Sequence, residues 1–423
     1  MAGLLGIKWR GRTLIALSLS LGSVAGSTAF GQQAPAAAAT PLIAAGKPAD
    51  WWFVFKFNAK AFPGCAGGAT PSCEFGGSPS SKSTGLQYVV ASDQDPTLKM
   101  GDGCLGNGDT DPVGATYASI YNGNYYYVVW NDQFYQDPPI RGCGSACAGP
   151  WGHSKGVVAW NDAGDGVVLQ VTTPSWPGSG SIHATRKSDN TLGCIAQPDN
   201  VMVSQSFFSL KLNESDVLQV LKALGNASVA TDPGNLQAVH AGGPAELRDA
   251  VRALGKPSKT QEVQRVQLSS GVALLVKPSA LNVPPWQFVS AELGQVPLRV
   301  ASWWTNPEAI GSTSATTPID CWSDSLPKPG SVEIATSGNW QGTALGLKGT
   351  ASPGGNHAKV GVSKDKDRPF VIFGDMNQEG PLTGTECSSH QDGRGGLFFI
   401  VHDQTLWESV SGLLNGDSAP PAQ

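Results

Sequence analysis

Residues 152–160 read GHSKGVVAW and residues 356–363 read NHAKVGVS. In each, a histidine stands two places ahead of a lysine, after chain that is rich in glycine. An apolar run follows the pair, and a second comes soon after it, Val167 to Val171 in the first copy and Phe370 to Phe373 in the second. One short pattern at two distant places predicts an internal duplication, two versions of one strand-bearing unit. On a strand, residues two apart share a face, so each His-x-Lys could present an imidazole and an ammonium to one point. A lone His-x-Lys arises often by chance; two at corresponding places carry more.

Around these stretches, runs of aromatic and branched residues bounded by Gly, Pro or Asp predict strands at Trp51 to Phe57, Tyr125 to Trp130, Gly156 to Trp160, Val167 to Thr172 and Met202 to Leu210. Later strands are expected at Val272 to Val276, Leu298 to Trp304, Phe370 to Phe373 and Gly396 to Val401. Helical periodicity is clearest over Glu214 to Leu224 and Glu246 to Leu254. Asn213 can cap the first of these, with Glu214 and Asp216 at the positive end of its dipole.

The chain has 423 residues, 40% hydrophobic and 14% charged. That is enough to bury a large core in one big domain or two fused ones. Lys8, Arg10 and Arg12 precede an apolar run from Leu14 to Ala25 and small residues at Ala29 and Gly31, the layout of a signal peptide over 1–31. The run is shorter than the roughly 20 residues a bilayer span needs, so no stable membrane insertion is expected once the leader is removed. Residues 32–48, opening QQAPAAAAT, read as a flexible lead-in, with order beginning near Asp50 and a tail at 417–423.

Formal charge is −5, and losing Lys8, Arg10 and Arg12 with a leader that holds no carboxylate takes it to −8. An acidic chain is a poor general binder of nucleic acid, so any phosphate contact must be local or must occur at low pH. Eight cysteines, an even set in a chain with an export leader, predict disulfides, with connectivity open. Cys143 and Cys147 lack a second Cys or His pair that would complete a zinc site. Asn107 to Ala118 resembles the opening of a calcium loop, but Pro112 replaces its glycine and Ala118 its closing Glu, so a polar turn is expected.

Two histidines facing across a phosphodiester supply a neutral nucleophile and a proton donor, and water then reverses the roles. Lys155 and Lys359 would neutralise the phosphoryl oxygens, the task of metals in two-metal nucleases, so no metal or other cofactor is expected. His183, His240, His390 and His402 lack a lysine at that spacing and are expected in surface or core roles. Trp51-Trp52, Tyr125 to Tyr127 and Trp303-Trp304 are expected to pack in the core rather than to stack on bases.

GHSKGVVAW, NHAKVGVS and FGDMNQE (373–379) resemble the signature segments of deoxyribonuclease II, a family of the phospholipase D superfamily. DWWFVFKF (50–57), VVWNDQ (128–133) and RGGLFF (394–399) extend the likeness over most of the mature chain. The resemblance implies an α/β fold, with α+β mixed sheets, made of two pseudo-symmetric phospholipase D-like halves, placed here at 49–212 and 213–416. It implies an acid endonuclease that hydrolyses DNA without divalent metal through a phosphohistidine and leaves 3′-phosphate ends. His153 and His357 then take the nucleophile and acid roles, Lys155 and Lys359 bind phosphate, Asn377 contacts or orients it, and Asp375 is a supporting residue. The resemblance also makes a homodimer an expectation. Export would place the protein outside the cell or in the periplasm, or in a lysosome-like compartment in a eukaryote.

The sequence departs from these patterns in two places. Phospholipase D members carry Asp five residues after the motif lysine, where Lys364 stands here with Asp365 next to it. In the first half, the place of Asn377 falls near Thr172 to Ser175, without the His and Asn often found in relatives. The rival readings are a phosphodiesterase that uses the same histidines on lipid and an exported nucleic-acid binder that has lost turnover.

Overall fold

The computed structural model describes residues 39–63, 85–106, 108–174, 181–185 and 202–422. The leader expected at 1–31 lies outside them, as do Cys65, Cys73 and Cys194. Ordered structure begins before Asp50: Leu42–Ala44 and Lys47–Pro48 pair as a small hairpin. The Leu42 N–H donates to Thr116 Oγ1 at 3.0 Å, which ties this segment to the rest of the chain in place of the expected flexible lead-in.

Two large sheets form the centre of the fold, which is of the mixed α+β kind. The first runs, edge to edge, Val239–His240, Tyr126–Asn131, Lys155–Trp160, Gly166–Val171, Gln205–Leu212, Trp51–Lys56, Tyr88–Ser92 and Asp95–Met100, all antiparallel. The second runs Gln264–Gln267, Ala273–Lys277, Gly396–His402, Phe370–Phe373, Val360–Ser363, Leu298–Ala301 and Val332–Ile334, antiparallel except for its last pair.

The duplication is visible in the strand order. Trp51–Lys56, Tyr126–Asn131, Lys155–Trp160, Gly166–Val171 and Gln205–Leu212 follow one another in the chain and occupy the same relative places as Ala273–Lys277, Leu298–Ala301, Val360–Ser363, Phe370–Phe373 and Gly396–His402. A helix closes each series, Glu214–Asn226 and Gln404–Leu413. Asn213 and Asp403 cap them by accepting backbone N–H groups of Asp216 and Leu406, as short polar side chains do at the open end of a helix. Val239–His240 still pairs on the first sheet, so that sheet draws on chain beyond the 212/213 boundary.

The sheets are buried on both faces. Phe53, Trp130, Val158 and Phe208 of the first share a core with Val360, Phe373 and Phe399 of the second and with Val217, Val220, Leu221 and Leu224 of the 214–226 helix. Phe373 stacks on both Phe53 and Phe208, with ring centroids 4.5 Å apart in each pair. The outer face of the first sheet is covered by helix Pro112–Asn122 through Val113, Tyr117 and Ile120. That of the second is covered by Pro285–Glu292 through Trp286 and Val289. This double burial explains why the central strands read as continuous apolar runs rather than alternating ones.

Candidate active site

Both histidines sit just ahead of strands that begin at Lys155 and Val360, so the sequence expectation that each His-x-Lys lies on a strand is corrected. The same-face rule of a strand therefore does not place these side chains, and hydrogen bonds to the opposite half do. The backbone N–H of His153 donates to Gly395 O and that of His357 to Ser204 O, both at 2.8 Å. Nδ1 of His153 contacts the carbonyl of Asp375, and Nδ1 of His357 lies 2.7 Å from that of Thr172. A carbonyl accepts only, so Nδ1 of His153 carries the proton and its Nε2 keeps the lone pair; Nδ1 of His357 also lies 2.9 Å from Lys359 Nζ, so the same tautomer there requires that lysine as the neutral amine.

These contacts are equivalent across the duplication. Strand register matches Thr172 with Asp375 and Ser204 with Gly395, so each histidine is gripped at the same two atoms by matching residues of the other half. Close approach makes glycine necessary at Gly395, where a Cβ would lie 2.3 Å from the carbonyl oxygen of Ala227.

The two lysines converge on Asp375, Lys155 at 3.5 Å and Lys359 at 3.9 Å. All three side chains are buried, and His153 and His357 are only 4% and 6% exposed. Asp132, which follows strand Tyr126–Asn131, accepts from Lys155 at 2.7 Å and from Arg394 at 2.8 Å. Arg394 also donates to the carbonyls of Trp151 and Cys147, at 2.9 and 2.8 Å, and so fastens the glycine-rich chain of one half to the approach of the other's motif. Asn377 donates from Nδ2 to Glu379 at 3.0 Å, and its backbone N–H reaches Gln391 Oε1 at 3.3 Å.

Burial weakens the proton affinity of both imidazoles, and the lysines beside them add to it. Both fall well below the ordinary histidine value, Asp132 partly opposing this at His153 and the carbonyl of Thr172 at His357. Burial also pushes Asp375 up to about 7 and Lys359 down to about 7, against their attraction for each other. Burial works against ionisation of Asp132 too, but Lys155, His153 and Arg394 outweigh it and hold the carboxyl well below its usual range. An anion entering between the lysines would restore their cationic form and strengthen an imidazolium.

The halves differ in chemistry. Register matches Asp132 with Trp303 and Asn377 with Pro174. Trp303 meets His357 edge-on at 4.9 Å, so this ring of the Trp303-Trp304 pair lies at the site rather than wholly in the core. Lys364 and Asp365, which replace the usual motif aspartate, pair instead with Glu333 and Arg368 on the surface.

The structure brings together His153, Lys155, His357, Lys359, Asp375 and Asn377. Asp132, Arg394 and Glu379 were not singled out from sequence as site residues, and Trp303 was expected in the core. The only available signal for Asp132 and Arg394 was their place in VVWNDQ and RGGLFF. Cys143 pairs with Cys147 and Cys321 with Cys387, which removes the zinc alternative for the first two. Asp111 caps helix Pro112–Asn122, in place of any calcium loop there.

Two matching sheet-and-helix units, each offering a His-x-Lys to the other, define the phospholipase D class of fold. No curated protein matches the chain. The sequence model of the deoxyribonuclease II family matches residues 41–416, and the chain belongs to that family. It is accordingly a nuclease with DNA as its substrate. No helix among the described residues is long and apolar enough to cross a membrane.

Proposed function

We propose that the chain is an acid endonuclease that hydrolyses DNA without a divalent metal, through a phosphohistidine, and leaves 3′-phosphate and 5′-hydroxyl ends. The observation that carries this reading is the crossed grip on Nδ1 of two histidines that share one buried site with two lysines. One Nε2 lone pair attacks phosphorus while the 5′-oxygen departs with a proton from the other imidazolium. Water then attacks the phosphohistidine, gives its proton to the second histidine, and frees the 3′-phosphate. Lys155, Lys359 and Asn377 hold the phosphoryl oxygens, and Asp375 spaces the lysines.

The acid preference follows from the imidazoles. One must be cationic as the other stays neutral, and burial moves that condition to lower pH. Two disulfides and the basic, apolar leader support export to an oxidising compartment. The test is end chemistry and trapping. Products should accept a 5′ label from a kinase without prior phosphatase treatment, and a quenched reaction should hold DNA on one histidine through an acid-labile P–N bond to its 3′-phosphate. Products with 5′-phosphate and no phosphoenzyme would overturn the mechanism.

A further inference from the structure

Asn377 is 8% exposed, its Nδ2 gives one N–H to the Glu379 carboxylate, and its Oδ1 has no partner among the described residues. That leaves at most the second N–H for a phosphate contact, because phosphate oxygens accept and the unpartnered carbonyl oxygen cannot donate. Turning the amide over would release Nδ2 but would set Oδ1 against an ionised carboxylate, acceptor facing acceptor. A proton on Glu379 removes the conflict, since its O–H can donate to Oδ1. The backbone need not move, because the Asn377 N–H is held by Gln391.

We propose that Glu379 is a proton-dependent positioning residue for Asn377: ionised, it holds Nδ2 of the amide on its carboxylate, and protonated, it takes Oδ1 instead and frees both N–H groups for the phosphate. This rests on the reading of Asn377 as a phosphate contact. Only one half has the device, because Pro174 occupies the matching position of the first. Burial raises the carboxyl of Glu379 above its ordinary value. The contacts with Asn377, Lys359 and Trp303 pull the other way, and Glu308 adds to the rise. Glu379 also lines a surface cavity with Arg394, His390 and Gln391, so solvent protons can reach it. The latch therefore opens on acidification, in the direction that also charges the histidines.

The test compares pH profiles of kcat/KM for plasmid cleavage in Glu379→Gln, Glu379→Ala and the wild-type chain. The Gln side chain can donate to Oδ1 at every pH, so the alkaline limb should move up by about one unit, about tenfold at neutral pH. The Ala variant also lacks the titrating carboxyl, so its limb should move up with that of the Gln variant, but with no donor to orient the amide its activity should stay below the Gln variant's at every pH. A Gln profile that superposes on the wild type, or an Ala variant that matches the Gln variant, would overturn the latch.

A second readout avoids turnover: binding of a short DNA duplex by His153→Ala with and without Glu379→Gln. Binding should weaken from acid to neutral pH in both, through His357, Lys359 and Asp375, and more steeply with Glu379 than with Gln. The same fall in both contradicts the latch. Absence of acid, chelator-resistant cleavage by the wild-type chain would instead count against the proposed function, and the binding comparison would still decide the role of Glu379.

Discussion

At Nδ1 each active-site imidazole meets a carbonyl of the opposite half, which leaves Nε2 free for substrate and makes protonation depend on surroundings that are dry and cationic. A histidine whose folded-state value lies below its unfolded one contributes stability that is present above about 6.5 and is lost as pH falls through the folded value. The wild-type chain should therefore lose more stability than a His153→Gln, His357→Gln double variant between about pH 7 and 5. Urea titrations at each pH check this, and equal losses would contradict it. Replacing Asp132 by Asn would leave buried Lys155 with Asp375 alone, at 3.5 Å, and take the carboxylate from the Arg394 guanidinium, at an expected cost of about 3 kcal/mol. The midpoint of urea unfolding reads that loss. His153, Lys155, His357 and Lys359 were legible from sequence because the motif repeats. Asp132 was not, because an Asp after a strand has no signature of its own until Arg394 arrives from 262 residues away.

Among the elements, the central strands were legible because burial on both faces gives unbroken apolar runs, as in Gly166–Val171 and Gly396–His402. Helix Gln404–Leu413 was missed although Asp403 caps it, since its polar residues outnumber the apolar ones that it buries, Leu406, Val410 and Leu413. Strand Asp95–Met100 was missed because it lies at a sheet edge with exposed Thr97, Lys99 and Met100 and a proline at its second position. Gly395→Ala should be among the most damaging small changes, because the added methyl meets the Ala227 carbonyl and displaces the oxygen that holds His153 N–H. A loss of activity greater than the loss of stability is expected, measured by kcat/KM beside a thermal melt. The disulfides should rank by the loop that they close. On the chain-entropy account, Cys321–Cys387, 66 residues apart, should contribute about 4 kcal/mol, and Cys143–Cys147, 4 apart, about 2 kcal/mol.

On the scale of the whole molecule, the described residues form one compact unit, because each half completes the other's site and the two sheets share a core. The acidic net charge of −5 leaves attraction for DNA to the local group of Lys155, Lys359 and the histidines. Affinity should therefore fall only gently with salt. A slope of about −2 to −3 in log K against log salt is expected, against about −6 or steeper for a protein that neutralises many phosphates. The central claim is a paired-histidine nuclease that needs no metal. Cleavage of plasmid DNA at about pH 5 in excess chelator tests it, with the wild-type protein beside His153→Ala and His357→Ala. The account predicts chelator-resistant cleavage that each substitution lowers by about 10² to 10⁴-fold. Cleavage that survives both substitutions, or that vanishes with chelator in the unsubstituted protein, would contradict it.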